Sequence, residues 1–204
     1  MARTAGERTK ARILRAAEEL FAKNGFDGTS VDEIARSAAV NKALIYYHFK
    51  DKNDLVASLF ASMIQEVEEH LRAPVKGKEP DDGLDLMAKI KEEIKFMAKR
   101  KEIIAVLLME SFKSGDKAPP LFKCSKLIMK HASPDFVGEA GGEHSAKTQR
   151  FMVQEFFTGI IPMMVFAALQ DKWAEYLDSD SDKMLEYFAD CFVQSHLSLR
   201  HDGA

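Results

Sequence analysis

Residues 30–49 contain two short helical patterns separated by a turn, and no other stretch limits the fold of this chain as strongly. Ser30 and Glu33 match a capping box, in which a serine N-cap and a glutamate three residues later satisfy each other's backbone N–H groups. The apolar residues of the helix that follows form one stripe: Val31, Ile34, Ala35 and Ala38. After a turn at 39–40, residues 42–49 form a second short helix. Two such helices joined by a turn of three or four residues are a helix-turn-helix.

The second helix of this motif has an unusual outward face. Ile45 and Phe49 lie four residues apart and form a short apolar anchor. Lys42, Tyr46 and Tyr47 then lie on the sides away from that anchor, with little acidic charge nearby. Lysine and phenol hydroxyl groups hydrogen-bond phosphates, as a helix in a DNA groove requires. The pattern therefore predicts a helix that contacts DNA.

Residues 8–55 resemble the N-terminal domain of the tetracycline repressor (TetR) family of transcriptional regulators. The matching residues are Ile13, Ala16, Ala17, Leu20, Phe21, Gly25, Thr29, Ile34, Ala35, Val40, Lys42, Tyr46, Tyr47, His48, Phe49, Lys52 and Leu55. The resemblance implies an all-α fold with an N-terminal three-helix helix-turn-helix DNA-binding domain at 1–52. It also implies a C-terminal helical ligand-binding and dimerisation domain at 53–204, with a fourth helix at about 53–72 linking the two.

The motif and the resemblance together assign the DNA contacts. Lys42 and Ala43 are the expected readers of base edges, with Asn41 and Leu44 beside them. The residues expected to hold phosphates are Thr29, Ser30, Tyr46, Tyr47, His48 and Lys52. The chain departs from the common family pattern at Ala39, which replaces a frequent glycine, and at 43–44, which replace a frequent glycine–threonine pair. The second departure alters the readable surface, so the operator sequence cannot be taken from a relative.

Charge is divided unevenly along the 204 residues. Residues 1–55 carry ten Lys and Arg against eight Asp and Glu, whereas residues 56–204 carry nineteen against twenty-four. Basic charge at one end fits a chain of which only that end meets phosphates. We expect no apolar stretch long enough to span a membrane, and the N-terminus lacks the apolar core of a signal peptide. A cytoplasmic protein without membrane contact is therefore expected.

The last two predicted helices, at about 147–176 and 182–199, are too apolar for one small core. The first of them is apolar nearly all round, which indicates burial on all sides, and Pro162 should kink or strain it. In a chain of this size such burial points to a partner subunit, and the family resemblance implies the same. We expect a homodimer through these two helices, with Phe157 and Phe188 at central positions.

The chain holds ten methionines and fourteen phenylalanines, and soft side chains of this kind suit a cavity for a small apolar effector. Residue by residue, ordinary core packing explains them equally well; the family resemblance favours a ligand for the domain as a whole. The residues expected near the effector are Met63, Val67, Met87, Ile94, Met109, Phe112, Met152 and Phe156.

Sequence motifs for other chemistry are missing. The chain has no Gly-rich phosphate loop, no GxSxG elbow and no Cys–His or paired-carboxylate motif, so we expect neither an enzyme nor a bound metal or cofactor. Glu155 is expected to pair with Arg150 or Lys172 at the surface, with a buried role towards a ligand as the alternative. His196 is expected to be solvated.

These features predict a repressor that binds palindromic operator DNA as a dimer and is released by a small apolar effector. One alternative is a DNA-binding regulator without a small-molecule effector. The other is a helical ligand carrier with a vestigial DNA-binding domain. That last alternative predicts the loss of basic and phenolic groups from residues 40–52, and those groups are present.

Overall fold

A computed structural model describes residues 4–72, 83–113, 115, 119–133 and 145–197. Every regular element among these residues is helical, which confirms the all-α fold. The α-helices are α1 (Ala5–Asn24), α2 (Val31–Ser37), α3 (Lys42–His48), α4 (Lys52–Arg72), α5 (Gly83–Ala98), α6 (Lys101–Lys113), α7 (Pro120–Ala132), α8 (Ala146–Gln154), α9 (Ile161–Tyr176) and α10 (Ser181–Phe192). Two further segments are π-helical. The first π-helical segment (Glu155–Ile160) joins α8 to α9, and the second (Val193–Leu197) continues α10.

The chain divides into two compact units, each built from two stretches of sequence. The first unit comprises the described residues of Met1–His70 and Glu102–Cys124, and the second those of Leu71–Lys101 and Ser125–Ala204. The predicted boundary between residues 52 and 53 lies inside the first unit, because most of α4 and α6 belong to it. That residues 1–52 bind DNA and residues 53–204 bind an effector and dimerise stays a prediction.

The core of the first unit is built from the helices that the apolar periodicity predicts. Gly25 ends α1 with a φ of 74°, and its N–H donates to the Phe21 carbonyl at 2.9 Å. Glycine adopts this backbone conformation without a steric penalty, so the predicted helix stop is confirmed. The fully buried side chains of this core include Ile13, Phe21, Ile34, Ile45, Phe49 and Leu55.

A Schellman motif closes α2 and starts the turn towards α3. The Ala39 N–H donates to the Arg36 carbonyl at 3.1 Å, and the Val40 N–H donates to the Ala35 carbonyl at 3.0 Å. Ala39 adopts a φ of 50°, the left-handed conformation that glycine normally provides at this position. The glycine that is frequent here in the family is therefore replaced by a residue under strain.

The second unit has its core where α5, α9 and α10 meet. Buried residues of this core are Ile90, Ile94, Ala167, Leu185, Ala189 and Phe192. The rings of Phe166 and Phe188 stack against this core, with 4.1 Å between their centroids. Phe188 is thus half-buried within its own unit, and its central position in a dimer stays a prediction.

The helical stretch Ala146–Tyr176 is continuous and contains the first π-helical segment directly before α9. Pro162 lacks a backbone N–H, and its ring would clash with the Thr158 carbonyl in a regular α-helix. The wider π-helical turn accommodates this clash, so the predicted strain takes the form of a widened turn instead of a break.

By length and composition, Ala146–Tyr176 is also able to cross a membrane; its most apolar window has a mean hydropathy of 1.6 and is 28% buried. The expectation that no stretch reaches this length is wrong, because Glu155 is the only charged residue between 151 and 170. Packed helices of soluble proteins can have the same composition.

Candidate nucleic-acid interface

The outward face of α3 carries the aromatic and basic groups that its sequence predicts. Ile45 and Phe49 are buried, which confirms the apolar anchor. On the other side, Tyr47 is 81% exposed and Tyr46 is 50% exposed. Lys42, where α3 begins, is exposed as well. Large aromatic side chains are costly to leave in water, so their exposure on one short helix indicates a surface that binds a partner.

Two of the predicted DNA contacts also cap helices. The Ser30 hydroxyl accepts the Glu33 N–H at 3.2 Å and donates to the Glu33 carboxylate at 2.7 Å. The Ser30 backbone N–H also donates to the Glu33 carboxylate at 2.8 Å, and this hydrogen bond, followed by that of the hydroxyl, holds the pKa of Glu33 below its ordinary value. The Asn41 side-chain oxygen accepts the Leu44 N–H at 2.8 Å, which leaves the Asn41 amide N–H groups as donors towards DNA. Both caps fix the first turns that would approach the duplex.

Lys42 forms an ion pair that sequence reasoning missed. Its Nζ donates to Asp32 Oδ2 at 2.8 Å, and this hydrogen bond raises the pKa of Lys42 above its ordinary value. Asp32 lies ten residues earlier on α2, so only the angle between the two helices brings the groups together. Lys42, the residue expected to read base edges, is therefore paired with the Asp32 carboxylate in this structure. That carboxylate lies beside the surface that would meet phosphates.

The prediction of a phosphate contact for the Thr29 side chain is wrong. Thr29 is fully buried, and its hydroxyl points at the carbonyls of Leu20 (3.1 Å) and Gly25 (2.9 Å). A hydroxyl has one proton to donate, and these carbonyls take it. Thr29 instead fixes the connection between α1 and α2.

Lys52 is also held within the first unit. Its Nζ donates to the carbonyls of Phe26 (2.8 Å) and Thr29 (3.1 Å). An ammonium has three N–H donors, so one remains after these two hydrogen bonds. A phosphate contact by Lys52 stays a prediction, but the side chain first ties the start of α4 to the loop after α1.

Leu44 and His48 are half-buried and flank the exposed tyrosines, while Ala43 is exposed. The rings of Tyr47 and His48 meet edge to face, with their centroids 5.1 Å apart. This contact orients the Tyr47 ring, which is 81% exposed. The roles of these residues towards DNA stay predictions.

Comparison with known proteins supports the interpretation of this surface. Residues 13–59 match the family model described as "Bacterial regulatory proteins, tetR family". This chain carries a TetR-family helix-turn-helix domain. The match covers α2, α3 and the parts of α1 and α4 that pack with them, so the resemblance seen in the sequence is confirmed.

The curated relatives match this chain over part of their length. It is 36% identical to the HTH-type transcriptional regulator AcrR of Shigella flexneri over 84 residues, which are 41% of this chain and 39% of that protein. It is 32% identical to an HTH-type transcriptional repressor of Streptomyces coelicolor over 114 residues, or 56% of this chain and 55% of that protein. The chain thus matches about two fifths to about half of the length of these relatives.

Solved structures extend the likeness in fold to nearly the whole chain. A TetR-family transcriptional regulator from Streptomyces coelicolor superposes with a TM-score of 0.62 at 14% identity, covering 95% of this chain and 81% of that one. Salmonella enterica GusR superposes with a TM-score of 0.58 at 18% identity, covering 94% and 98%. At such low identity the likeness shows the fold alone.

The residues predicted to lie near the effector are divided between the two units. The first unit contains Met63, Val67, Met109 and Phe112, and the second contains Met87, Ile94, Met152 and Phe156. Phe112 is 89% exposed, so its predicted place in an enclosed cavity is wrong. Ile94 is fully buried in the α5–α9–α10 core and is explained by packing. The other six stay predictions.

Two predictions about single polar residues, Glu155 on the long apolar helix and His196 after α10, are wrong. Glu155 is 6% exposed and His196 is 3% exposed, whereas both were expected at the surface. The reason is that each lies against the other across the two π-helical segments. Sequence reasoning had no signal for a contact between residues so far apart, apart from the oddity of one carboxylate in an apolar stretch.

Proposed function

We propose that this protein is a cytoplasmic transcriptional repressor that binds palindromic operator DNA as a homodimer and is released by a small apolar effector. The observation that carries the DNA-binding part is the exposed pair Tyr46 and Tyr47 beside Lys42, on a helix whose opposite face is anchored in the core. The family match covers these same residues. Among the curated relatives reported above, one is named a repressor and the other a regulator.

The DNA contacts in this proposal are those that remain after the structure is taken into account. Lys42 and Ala43 face the base edges, with Asn41 and Leu44 beside them. Ser30, Tyr46, Tyr47 and His48 hold phosphates, with the remaining N–H of Lys52 as a further donor. Phosphate contacts supply affinity without sequence preference, whereas base contacts supply specificity. Such binding weakens steeply as salt rises, because each neutralised phosphate releases counterions.

A second copy of the chain is the proposed occupant of an apolar stripe on the long helix. Exposed residues follow one another at intervals of four: Val153, Phe157, Val165, Leu169 and Trp173, with the half-buried Ile161 between the second and third. A stripe of this size is unfavourable in water unless a partner covers it. A two-fold axis would then present two copies of α3 to successive turns of DNA.

The effector part of the proposal concerns Met63, Val67, Met87, Met109, Met152 and Phe156. An effector shifts the protein only if it binds one arrangement of the subunits more tightly than the other. Release of DNA therefore requires that the effector favour a spacing of the two α3 helices that does not fit the operator. By linkage, operator DNA must then weaken effector binding by the same factor.

Selection of bound sequences from random DNA tests the DNA-binding proposal directly. The wild type should enrich a palindromic motif, and Tyr47→Phe should weaken binding to it by about 1 kcal/mol per subunit, the net worth of one hydrogen bond. Tyr176→Phe is the matched control, because Tyr176 is a similarly exposed tyrosine in the second unit. Failure to enrich any motif, or equal affinities for the two variants, would contradict the proposal.

Effector binding is tested separately. Thermal shift against fatty acids, acyl-CoA thioesters, aromatics and cationic drugs identifies a ligand, and calorimetry then compares its affinity for free and operator-bound protein. Weaker binding to the operator complex supports an inducer. Equal affinities favour a regulator without a small-molecule effector, for which the bound molecule is only a structural passenger.

A further inference from the structure

Lys10 occupies a position on α1 where the helical pattern would place an apolar residue. Ile13, Ala17 and Phe21 are fully buried in the core of the first unit, and they follow Lys10 at intervals that return to the same side of an α-helix. Lysine is among the residues least often buried, and Lys10 is exposed. Its charge therefore lies at the end of an otherwise buried stripe.

The Lys10 ammonium lies over Phe49, the residue that follows α3. Its Nζ is 5.6 Å from the centroid of the Phe49 ring, and Phe49 itself is buried. The apolar stem of a lysine can cover a ring in this way while the ammonium stays in water. The attraction of a cation to an aromatic face holds the ammonium at this place, but it leaves the three N–H donors for other acceptors.

Lys10 differs in this respect from the lysines of the first unit that are described above. Lys42 is paired with a carboxylate, and Lys52 donates to two backbone carbonyls. Among the described residues, no carboxylate forms an ion pair with Lys10. Glu7 lies one turn earlier on α1, and its carboxylate accepts the Thr4 N–H at 2.7 Å as part of the capping box that starts the helix. Lys10 is thus a positioned cation whose N–H donors can meet an external anion.

The place of this cation is the end of the α3 surface. The rings of Phe49 and His48 lie 6.3 Å apart, and those of His48 and Tyr47 lie 5.1 Å apart, measured between centroids. A row of neighbouring side chains therefore leads from the exposed Tyr47 to Lys10 on α1. A stretch of DNA backbone that meets Tyr47 and His48 would pass close to the Lys10 ammonium.

We propose that Lys10 is a further phosphate contact, and that the DNA-binding surface extends beyond the helix-turn-helix onto α1. This inference rests on the proposed function and adds to it a contact from outside α2 and α3. Residue 10 precedes the matched range 13–59, so the family match does not assign it. A lysine at a phosphate supplies affinity and fixes orientation without sequence preference. The contact holds the start of α1 against the backbone while α3 lies in the groove.

Lys10→Met tests this contact, because methionine keeps an unbranched apolar stem over Phe49 and removes the charge. Binding to the selected operator and to random duplex DNA should weaken by the same factor, about tenfold per subunit. The slope of log affinity against log salt concentration should become shallower by about 0.9 per subunit, since one phosphate fewer is neutralised. The motif enriched from random DNA should stay the same. A purely structural role for Lys10 would lower the fraction of active protein and leave the slope unchanged.

Arg12→Met is the matched control. Arg12 is exposed two residues later on α1, about 200° around the helix, so this variant removes the same charge from the opposite side. It should change affinity and slope little, and Lys10→Arg should keep both near the wild-type values. Equal effects of Lys10→Met and Arg12→Met would show a general charge effect and would overturn the proposal.

The Tyr47→Phe variant separates this inference from the proposed function. If Tyr47→Phe weakens binding while Lys10→Met leaves the salt slope unchanged, the Lys10 contact is ruled out and the proposed function stands. A wild type that binds no DNA would overturn both.

Discussion

The Lys52 ammonium lies over the face of the Phe26 ring, 4.2 Å from its centroid, while two of its N–H groups reach backbone carbonyls beside that ring. The contact joins the first residue of α4 to the loop that follows α1. A cation over an aromatic face and hydrogen bonds from a charged donor both stabilise a folded chain. Lys52 is therefore expected to matter for stability before it matters for DNA.

Replacing Lys52 by methionine should reveal this structural role. The variant keeps most of the apolar stem but removes the ammonium that donates to the carbonyls of Phe26 and Thr29, of which Phe26 keeps only the weaker Thr29 N–H. This should cost about 2 kcal/mol in the free energy of unfolding. Lys50→Met removes the same charge from an exposed neighbour and should change stability little. Urea denaturation of both variants compares them, and equal stabilities would mean that the Lys52 contacts contribute nothing.

Asp32→Asn should strengthen binding to DNA. The change removes the carboxylate that holds Lys42 and leaves that ammonium for the duplex, so affinity and its salt dependence should both increase. Asp27→Asn is the control, because Asp27 pairs with Lys113 in the same unit and its loss leaves Lys42 paired. Fluorescence anisotropy across a range of salt concentrations measures the effect. An equal gain for both variants would indicate a general charge effect unconnected with Lys42.

Ala39→Gly should stabilise the protein by about 1 kcal/mol, because a left-handed backbone costs an L-residue about 1–2 kcal/mol and glycine gives part of that back in chain entropy. Asp178 offers a matched site, since it has the same φ of 50° in a second Schellman motif after α9. Aspartate tolerates this conformation better than alanine does. Asp178→Gly should therefore gain less in thermal denaturation; the reverse order would contradict the strain assigned to Ala39.

Phe157→Glu should separate the subunits without unfolding them. Phe157 is 63% exposed, so a charge there is solvated in the isolated chain but would be buried unpaired against a second copy. Sedimentation velocity should show a wild-type dimer and a monomeric variant with an unchanged circular dichroism spectrum. Phe112→Glu alters the more exposed phenylalanine of the first unit and should leave the dimer intact. A monomeric wild type at micromolar concentration would rule out the proposed interface.

Glu18 should make stability depend on pH. Its burial, followed by the charges of Glu102 and Glu66, raises the pKa of this carboxyl, although the Ile103 N–H at the start of α6 donates to it. A raised pKa means that the folded chain favours the protonated carboxyl over the ionised one. The stability that protonated Glu18 contributes is therefore present in acid and is lost as pH rises through the pKa of the folded chain.

Glu18→Gln should accordingly stabilise the protein at pH 7, since an amide oxygen still accepts the Ile103 N–H. The gain should disappear below the ordinary glutamate value of 4.5. Glu19→Gln, at an exposed neighbour paired with Arg15, should show little effect at either pH. Urea denaturation at pH 7 and pH 4 makes the comparison, and a gain that persists in acid would assign the effect to something other than ionisation.

Features that depend on neighbours in sequence were predicted well. The Ser30 capping box, the Gly25 helix stop and the Ile45–Phe49 anchor each involve residues within a few positions, so periodicity and local hydrogen bonding are enough to find them. The family resemblance rests on the same local features.

Contacts between distant residues were missed, and they changed the reading of the site. Lys52 reaches back to Phe26, and His196 reaches Glu155, because helices meet at angles and depths that no local pattern encodes. The side chains concerned are polar, so the burial of His196 and Glu155 and the partial burial of Lys52 contradict the usual preference for water. Only the packed structure shows the partner that makes each burial favourable.

The first π-helical segment also controls the angular phase of the long helix. In a regular α-helix each residue turns by about 100°, so positions four apart overshoot a full turn by about 40°. Repeated from Val153 to Trp173, this drift would carry the apolar positions around to the opposite side. A π-helical turn contains more residues, so steps through Glu155–Ile160 turn less and take back part of the drift. One proline and the widened turn before it thereby decide which direction the far end of a 31-residue helix presents to a partner.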